Sequence, residues 1–210
     1  MSFKRALVCL MCLTSVVIAE PEACYEKDPY SDIEVLPFDA HGWYENAQQI
    51  EQIFRQRKIR TVVEVGCWLG SSTRHIATLL PQGGKLYAVD HWLGSVEHQQ
   101  DTTHLSCLYQ QFLSNVIHAR LTDKIIPVKM PSLEAADCLA GLKVDAVYID
   151  ASHDTQSVLQ DLRAWYPFIK NHGVLCGDDW GWDSVRQAVI IFARESGLRI
   201  YHAGNFWQCF

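Results

Sequence analysis

The stretch TVVEVGCWLGSSTRH, residues 61–75, has the pattern of a buried strand, a glycine turn and the start of a helix. Residues 62–65, VVEV, contain the β-branched run typical of a parallel strand buried on both faces. Gly66 and Gly70 bracket the turn, and the Ser-Ser-Thr that follows favours a helix N-terminus. The stretch therefore predicts the first strand–turn–helix unit of an α/β domain.

An acid, Glu64, interrupts the apolar strand near its carboxyl end. A buried carboxylate needs a partner for its charge and its hydrogen bonds. In an open α/β sheet, the turn after this strand lies where nucleotide-like ligands bind, outside the carboxyl ends of the strands. Because α/β domains without a ligand also contain such turns, the turn alone does not indicate a ligand site.

The second feature is the apolar segment KLYAVD, Lys85–Asp90, whose final acid follows the glycine turn by about 20 residues. Nucleotide-binding folds place there a carboxylate that accepts hydrogen bonds from ribose hydroxyls. The dinucleotide fingerprint G-x-G-x-x-G is absent, since the turn has the spacing Gly66-x-x-x-Gly70. This disfavours NAD and FAD and favours a ribose ligand without pyrophosphate, of which S-adenosylmethionine (SAM) is the common one.

Strand-like and helix-like segments alternate along the rest of the chain. The predicted strands are 61–65, 85–90, 124–129, 144–150, 174–178, 198–202 and 206–210, and the predicted helices are 43–56, 72–80, 104–119, 132–142, 154–170 and 182–196. Pro127 places the third strand at an edge, because proline cannot donate to a sheet ladder. We expect residues 172–173 to end the fifth helix and residues 91–103 to form a lid or substrate loop. The alternation predicts an α/β fold with a doubly wound, mostly parallel seven-stranded sheet that ends in an antiparallel β-hairpin.

Four motifs in order give a more specific indication. E-x-G-x-x-x-G follows the first strand, VD ends the second, and YIDASH (148–153) and GDDW (177–180) end the fourth and fifth. This set resembles class I SAM-dependent methyltransferases, and among them the small-molecule O-methyltransferases, including metal-dependent enzymes that act on sugars. The resemblance extends over residues 43–210, and we assign residues 41–210 to one Rossmann-like methyltransferase domain.

The resemblance implies a set of SAM-binding residues. Glu64 and the turn from Gly66 to Gly70 would hold the methionine part, and Asp90 would hold the ribose. Ser132 would either contact the adenine or only cap the helix that starts there. The complete set of expected cofactor-binding residues is Glu64, Gly66, Gly70, Ser72, Asp90, Ser132 and Asp150.

Three acids, Asp150, Asp178 and Asp179, end the fourth and fifth strands. Neighbouring strands would bring these carboxylates together, where they raise each other's pKa unless a cation is present. Hard oxygen ligands in this number suit a divalent cation such as Mg²⁺. Aspartates at matching positions bind a metal in the resembling enzymes, so these three are the predicted metal ligands. The alternative is that Asp178 and Asp179 cap the next helix.

His153 lies three residues beyond Asp150 and is the predicted catalytic base, because its ordinary pKa near 6.5 suits proton transfer from a hydroxyl. The alternative is a solvent-facing histidine at a helix start. Trp180 and Trp182 would either line an acceptor site or pack in the core.

The composition of the 210 residues is that of one globular domain, with 49% hydrophobic and 20% charged residues. A net charge of −6 gives no sign of nucleic-acid binding, which normally requires a basic surface. The expected partner is a small-molecule or sugar acceptor. The sequence leaves the oligomeric state open, including a homo-oligomer.

Residues 1–19 have the layout of a secretory signal peptide: Lys4 and Arg5 precede an apolar run that ends in small residues. The run is short for a membrane span, so we expect no stable span after its removal. The alternatives are an uncleaved anchor, or a misassigned start codon and a cytoplasmic protein. Residues 20–40 are predicted to be an irregular lead-in.

The cysteine spacing does not indicate a zinc site or a dense disulfide framework. Six cysteines follow the leader: Cys24, Cys67, Cys107, Cys138, Cys176 and Cys209. An even number permits disulfides in an oxidising compartment. Cys67 and Cys176 fit buried thiols, and Cys24 and Cys209, near the two ends of the domain, are a candidate pair that only geometry can test.

The sequence therefore predicts a SAM-dependent O-methyltransferase for a small molecule or sugar, assisted by a divalent metal. The alternative is a non-catalytic or host-interaction protein on a methyltransferase scaffold, which the export-like leader and the degenerate glycine turn motivate.

Overall fold

The computed structural model describes residues 24–95 and 105–210. Within these ranges the α-helices are α1 Ala47–Gln56, α2 Ser71–Leu79, α3 Leu108–His118, α4 Ser132–Cys138, α5 Thr155–Trp165 and α6 Asp183–Ser196. The strands are β1 Thr61–Val65, β2 Lys85–Asp90, β3 Ile125–Lys129, β4 Val144–Ile149, β5 Ile169–Gly177, β6 Ile200–Ala203 and β7 Phe206–Cys209. The predicted signal peptide and residues 96–103 of the predicted lid loop lie outside the described residues.

The seven strands form one sheet in the order β3-β2-β1-β4-β5-β7-β6. Strands β1 to β5 are parallel, whereas β7 runs antiparallel between β5 and β6. The predicted fold class is therefore confirmed. Pro127 lies in the edge strand β3 as expected, and the predicted neighbours β4 and β5 pair with each other.

Helices cover both faces of the sheet because β1 alternates its side chains between them. Val63 packs with the core of α4, α5 and α6, which includes Leu162 and Val189. Val62 packs with the core of α1, α2 and α3, which includes Ile76 and Phe112. The carboxyl ends of β1, β2, β4 and β5 consequently meet at one edge of a sheet that is buried on both sides.

Several predicted helix boundaries are wrong, including the end of α4, which lies at Cys138 instead of residue 142. The first helix begins at Ala47 instead of residue 43, and the preceding residues form part of a cavity described below. Helix α5 ends at Trp165, because Pro167 cannot donate the next helical hydrogen bond. His172 and Gly173 therefore do not end a helix but lie within β5, where the register against β4 shifts.

The lead-in strap, which we define as residues 24–45, is bound along α3. Asn115 donates to the carbonyl of Asp39 at 2.8 Å, and its side-chain oxygen accepts from the Asp39 amide at 3.0 Å. Gln111 donates to the carbonyl of Pro37 at 2.8 Å. The strap contains no strand or α-helix, so side chains of α3 satisfy backbone groups that secondary structure would otherwise satisfy.

A disulfide joins Cys24 at the start of the strap to Cys138 at the end of α4. This excludes the candidate pair of Cys24 and Cys209, since Cys209 is a free, buried thiol in β7. Cys67 and Cys176 are buried thiols, as predicted. In residues 24–95 and 105–210, no helix is long and apolar enough to cross a membrane.

Breaking this disulfide is expected to destabilise the fold. The bond spans 114 residues, and closing a loop of this length restricts the unfolded chain, so Cys138→Ser should lower the free energy of unfolding by about 2–4 kcal/mol. Denaturant unfolding without reductant measures the change. Cys107→Ser, which removes a half-buried free thiol, is the control and should change stability by less than about 1 kcal/mol. Equal denaturant midpoints for Cys138→Ser and Cys107→Ser would contradict the disulfide between Cys24 and Cys138.

Candidate active site

Two cavities meet at the carboxyl edge of the sheet. The Asp90 cavity, of about 410 Å³, is lined by Asp90, Ser132, Asp161 and residues 94–95. The Asp179 cavity, of about 480 Å³, is lined by Asp178, Asp179, His153 and several aromatic side chains. They share the glycine turn, Gly66 to Trp68, and the end of β4, Asp150 and Ala151. One elongated ligand can therefore occupy both.

Gly66 allows the turn after β1 to lie directly against the end of β4. It has a φ of +86°, and a Cβ at this position would lie 1.9 Å from the carbonyl oxygen of Asp150. Its amide donates to the carbonyl of Val89 at 2.9 Å, which also ties the turn to β2. No other residue fits here, because any side chain would collide with backbone atoms.

Gly70 also adopts a left-handed backbone, with a φ of +80°, and stands immediately before α2. A Cβ there would lie 3.0 Å from the ring of Phe112. Both glycines identified in the sequence are thus required by backbone geometry.

Asp90 lines its cavity, as predicted, and also stabilises the glycine turn. One carboxylate oxygen accepts from the amides of Cys67 at 2.9 Å and Trp68 at 3.0 Å, and the other accepts from the amide of Trp92 at 2.7 Å. The oxygen that accepts from Trp92 has a second lone-pair direction, so the carboxylate can still accept there from a ligand hydroxyl.

Glu64 lies beneath the turn and lines neither cavity, although Ser72, its hydrogen-bond partner, lines the Asp179 cavity. Its side chain is fully buried. Burial raises the pKa of Glu64 to about 7, and the hydroxyls of Ser72 and Thr73 partly oppose this. The predicted partner is therefore a serine hydroxyl on α2.

Ser132 lines the Asp90 cavity, and its hydroxyl is part of a buried network. It donates to Asp161 at 2.5 Å and accepts from the indole of Trp165 at 2.8 Å. It does not cap α4, whose N-cap residue is Pro131, so the alternative of a helix cap is wrong. Burial raises the pKa of Asp161 to about 6. Sequence reasoning missed Asp161, although an acid at helical spacing with Val158 and Trp165 was a usable signal.

The three predicted acids do converge. Asp150, Asp178 and Asp179 all line the Asp179 cavity. Burial and mutual repulsion raise the pKa of Asp150 well above its ordinary value, and burial also raises the pKa of Asp178. Neither Asp178 nor Asp179 caps α6, because the N-cap residue is Trp182 and no side chain caps that end.

His153 faces the cavity and not the solvent. Its Nε2 lies 2.9 Å from the carboxylate of Asp179, and its ring stacks on Trp182 with a centroid distance of 4.8 Å and an angle of 14°. Ser184 donates to its backbone carbonyl. The imidazole is therefore fixed by a carboxylate on one edge and an indole on one face.

The predicted metal site is not supported by these contacts. In the described part of the chain, no three His, Cys, Asp or Glu side chains are grouped so that they could hold a metal ion. Asp179 is paired with His153, and the oxygens of Asp178 accept from the Asp179 amide at 2.7 Å and the Tyr148 hydroxyl at 3.3 Å. Protein groups thus take up carboxylate oxygens that the prediction assigned to Mg²⁺.

A family model described as a methyltransferase domain matches residues 63–180, more than half of the chain. The chain belongs to this methyltransferase family. The match covers the glycine turn, Asp90, Asp150 and the Asp178–Asp179 pair, and it confirms the resemblance to class I SAM-dependent methyltransferases. A search among curated proteins gives no match.

Solved O-methyltransferase structures share the fold of this methyltransferase. One from Klebsiella pneumoniae, described as a candidate O-methyltransferase, has a TM-score of 0.63 and 19% identity over 82% of this chain and 83% of that one. TomG from Streptomyces achromogenes, in complex with SAM, has a TM-score of 0.62 and 15% identity over 78% of each chain. An O-methyltransferase from Bacillus cereus, in complex with S-adenosylhomocysteine (SAH), has a TM-score of 0.59 and 17% identity over 82% and 83%.

The buried acid Glu64 should make the stability of the methyltransferase depend on pH. Its pKa is about 7 when folded against 4.5 ordinarily, so the unfolded chain ionises first and stability falls as pH rises from about 4.5 to 7. Glu64→Gln removes this loss. Relative to the wild type, its free energy of unfolding should rise by about 2–3 kcal/mol between pH 5 and pH 8.

Denaturant unfolding at several pH values tests this expectation. Glu34→Gln, which changes an exposed acid on the lead-in strap, is the control. Its free energy of unfolding should change with pH in the same way as that of the wild type. A Glu64→Gln curve parallel to the wild type would show that Glu64 is ionised in the folded protein.

Proposed function

We propose that the protein is a SAM-dependent O-methyltransferase that methylates a hydroxyl of a small molecule. The observation that carries the proposal is the junction of the two cavities at the glycine turn. On one side stands Asp90, an acid placed for a ribose, and on the other stands the His153–Asp179 pair, which can accept a proton.

The residues present fit SAM. Asp90 would accept from the ribose hydroxyls, and the network of Ser132 and Asp161 would lie beside the adenine at the far end of the same cavity. The glycine turn and Asp150, which line both cavities, would lie beside the methionine part of SAM where the cavities meet. When bound, SAM supplies an electrophilic methyl group on a sulfonium.

The Asp179 cavity would hold the acceptor, and His153 would remove its proton. SAM bound there would supply its methyl group to the acceptor oxygen, and the electron pair of the carbon–sulfur bond would remain on sulfur, leaving SAH. The hydroxyl proton passes to the His153–Asp179 pair and then to solvent. Asp179 orients the imidazole and stabilises the imidazolium that forms.

Protein groups take up carboxylate oxygens of Asp178 and Asp179, so these acids do not fit a divalent cation and we assign no step to one. Metal-assisted transfer, which the motif resemblance implied, has a direct test. Activity that EDTA abolishes and Mg²⁺ restores would establish a metal at the aspartates and would overturn this assignment to His153 and Asp179.

The disulfide of Cys24 and Cys138 supports a location in an oxidising compartment, because cytosolic thiols are kept reduced. This agrees with export through the signal peptide predicted at residues 1–19. Alkylation of the natively produced protein without reduction, followed by mass spectrometry, should find these two cysteines protected. Free thiols at both positions would favour the cytoplasmic alternative.

Replacing Asp90 should weaken SAM binding. Asp90→Asn keeps an oxygen for the turn amides but removes the charge and one acceptor, so affinity for SAM should fall at least about tenfold. Calorimetric titration measures this, and thermal unfolding checks the fold. The control is Asp137→Asn, an exposed acid on α4 outside both cavities. Unchanged affinity in Asp90→Asn would remove Asp90 from the cofactor site.

Replacing His153 should slow methyl transfer without loss of SAM affinity. His153→Gln keeps a polar side chain that cannot act as a base, so kcat should fall about 10²- to 10⁴-fold. SAH formation measures the rate, and SAM titration the affinity. His172→Asn, at an exposed left-handed position in β5 that asparagine tolerates, is the control. SAM binding without turnover by the wild type on any acceptor would favour the non-catalytic alternative.

A further inference from the structure

We infer that the acceptor is a phenol that also carries a protonated amine, with its ring held by tryptophans and its charge held by Glu45. This inference rests on the proposed function and names the substrate class of the same site.

Aromatic side chains form much of the Asp179 cavity. Trp43, Tyr44, Trp68 and Trp182 all line it. Trp43 and Trp182 remain 66% and 50% exposed, so at least half of the surface of each side chain is available to a ligand. Trp43 and Trp68 lie 6.2 Å apart between ring centroids. A flat aromatic ring is the ligand that gains most from such faces, because offset or edge contacts add to the burial of its surface.

The charge of the cavity favours a cation. Four acids line it, Glu45, Asp150, Asp178 and Asp179, and none of its described lining residues is Lys or Arg. The basic residue there, His153, is already paired with Asp179. A carboxylate on the acceptor would be repelled, whereas an ammonium is attracted by the acids and by the indole faces.

Glu45 is the acid best placed for a charge on the acceptor. Asp150, Asp178 and Asp179 belong to the strand ends beside the glycine turn, where the positive charge of SAM would lie. Glu45 instead comes from the lead-in strap, directly after Trp43 and Tyr44, and its exposed carboxylate has no ion-pair partner within the described residues. The sulfonium of SAM would thus lie near the three aspartates, and the ammonium of the acceptor would lie near Glu45.

Hydrogen bonds within the protein hold the end of the strap in place. The hydroxyl of Tyr44 shares a hydrogen bond of 2.8 Å with His75 on α2, and Asn46 donates to the hydroxyl of Tyr148 at 3.2 Å. The segment that carries Trp43 and Glu45 is therefore anchored on both sides of Glu45. A preformed wall of this kind selects ligands at low cost in ordering.

The base favours a phenolic hydroxyl. A phenol has an ordinary pKa near 10, about 3.5 above that of histidine, whereas the pKa of water is about 15.7. Transfer of a phenol proton to His153 therefore costs far less free energy than transfer from a hydroxyl whose pKa is close to that of water. A phenol can thus be deprotonated without a Lewis acid.

The test measures binding of four probes to the SAH-loaded protein by calorimetry. Tyramine, tyrosol and 3-(4-hydroxyphenyl)propionate share one phenol ring and carry a positive, a neutral and a negative group, and 4-(2-aminoethyl)cyclohexanol keeps the amine on a saturated ring. We expect tyramine to bind at least tenfold more tightly than the propionate and at least fivefold more tightly than the cyclohexanol.

Matched variants assign the preference to residues. Glu45→Gln should lower the ratio of tyramine affinity to tyrosol affinity at least threefold. Glu34→Gln, on the strap but outside the cavity, should leave this ratio unchanged. Trp182→Ala should narrow the ratio of tyramine to cyclohexanol affinity, with an unchanged melting temperature as the check on folding.

The possible outcomes distinguish a failure of the proposed function from a failure of the inferred acceptor class. SAH that does not bind would overturn the proposed function itself. SAH that binds, together with equal affinities for the three phenols, tighter binding of the propionate, or no difference between tyramine and the saturated ring, would overturn the acceptor class alone. A ratio unchanged in Glu45→Gln would remove Glu45 from the acceptor site.

Discussion

The close approach of the turn after β1 to the end of β4 is the constraint on which the site depends. At Gly66 a Cβ would lie 1.9 Å from the carbonyl of Asp150, so the two chain segments touch through backbone alone. This contact makes the glycine turn a shared wall of both cavities. Asp90 reinforces it from β2 by accepting the amides of Cys67 and Trp68. A ligand-binding edge of a parallel sheet thus becomes one continuous site because a single position lacks a side chain.

Electrostatic repulsion at this edge has a chemical use. Parallel strands that end side by side bring Asp150, Asp178 and Asp179 into one cavity, where burial disfavours the ionised forms of Asp150 and Asp178. The protein relieves part of this by pairing Asp179 with His153 and by placing the amide of Asp179 and the hydroxyl of Tyr148 on Asp178. The remaining negative potential suits positively charged ligands. The same arrangement therefore accounts for the proposed cofactor, the proposed base and the inferred acceptor.

The lead-in strap connects stability to specificity. Its start is joined to α4 by the disulfide of Cys24 and Cys138, and its middle is hydrogen-bonded to α3 through Asn115. Its end supplies Trp43 and Glu45 to the Asp179 cavity. A segment without strand or α-helix thus completes the acceptor side of the site, and α3 and the disulfide hold it there.

The sequence by itself determined the sheet, its hairpin and the position of the site, because β-branched runs, glycine turns and acids at strand ends are local patterns with one common geometric solution. It also identified Asp90 and the converging aspartates. Only the tertiary structure decided which side chains pair: Asp179 with His153, Ser132 with Asp161, and Cys24 with Cys138. These partners lie 26, 29 and 114 positions apart in sequence. No periodicity encodes such pairs, since they depend on how helices and the strap pack over the sheet.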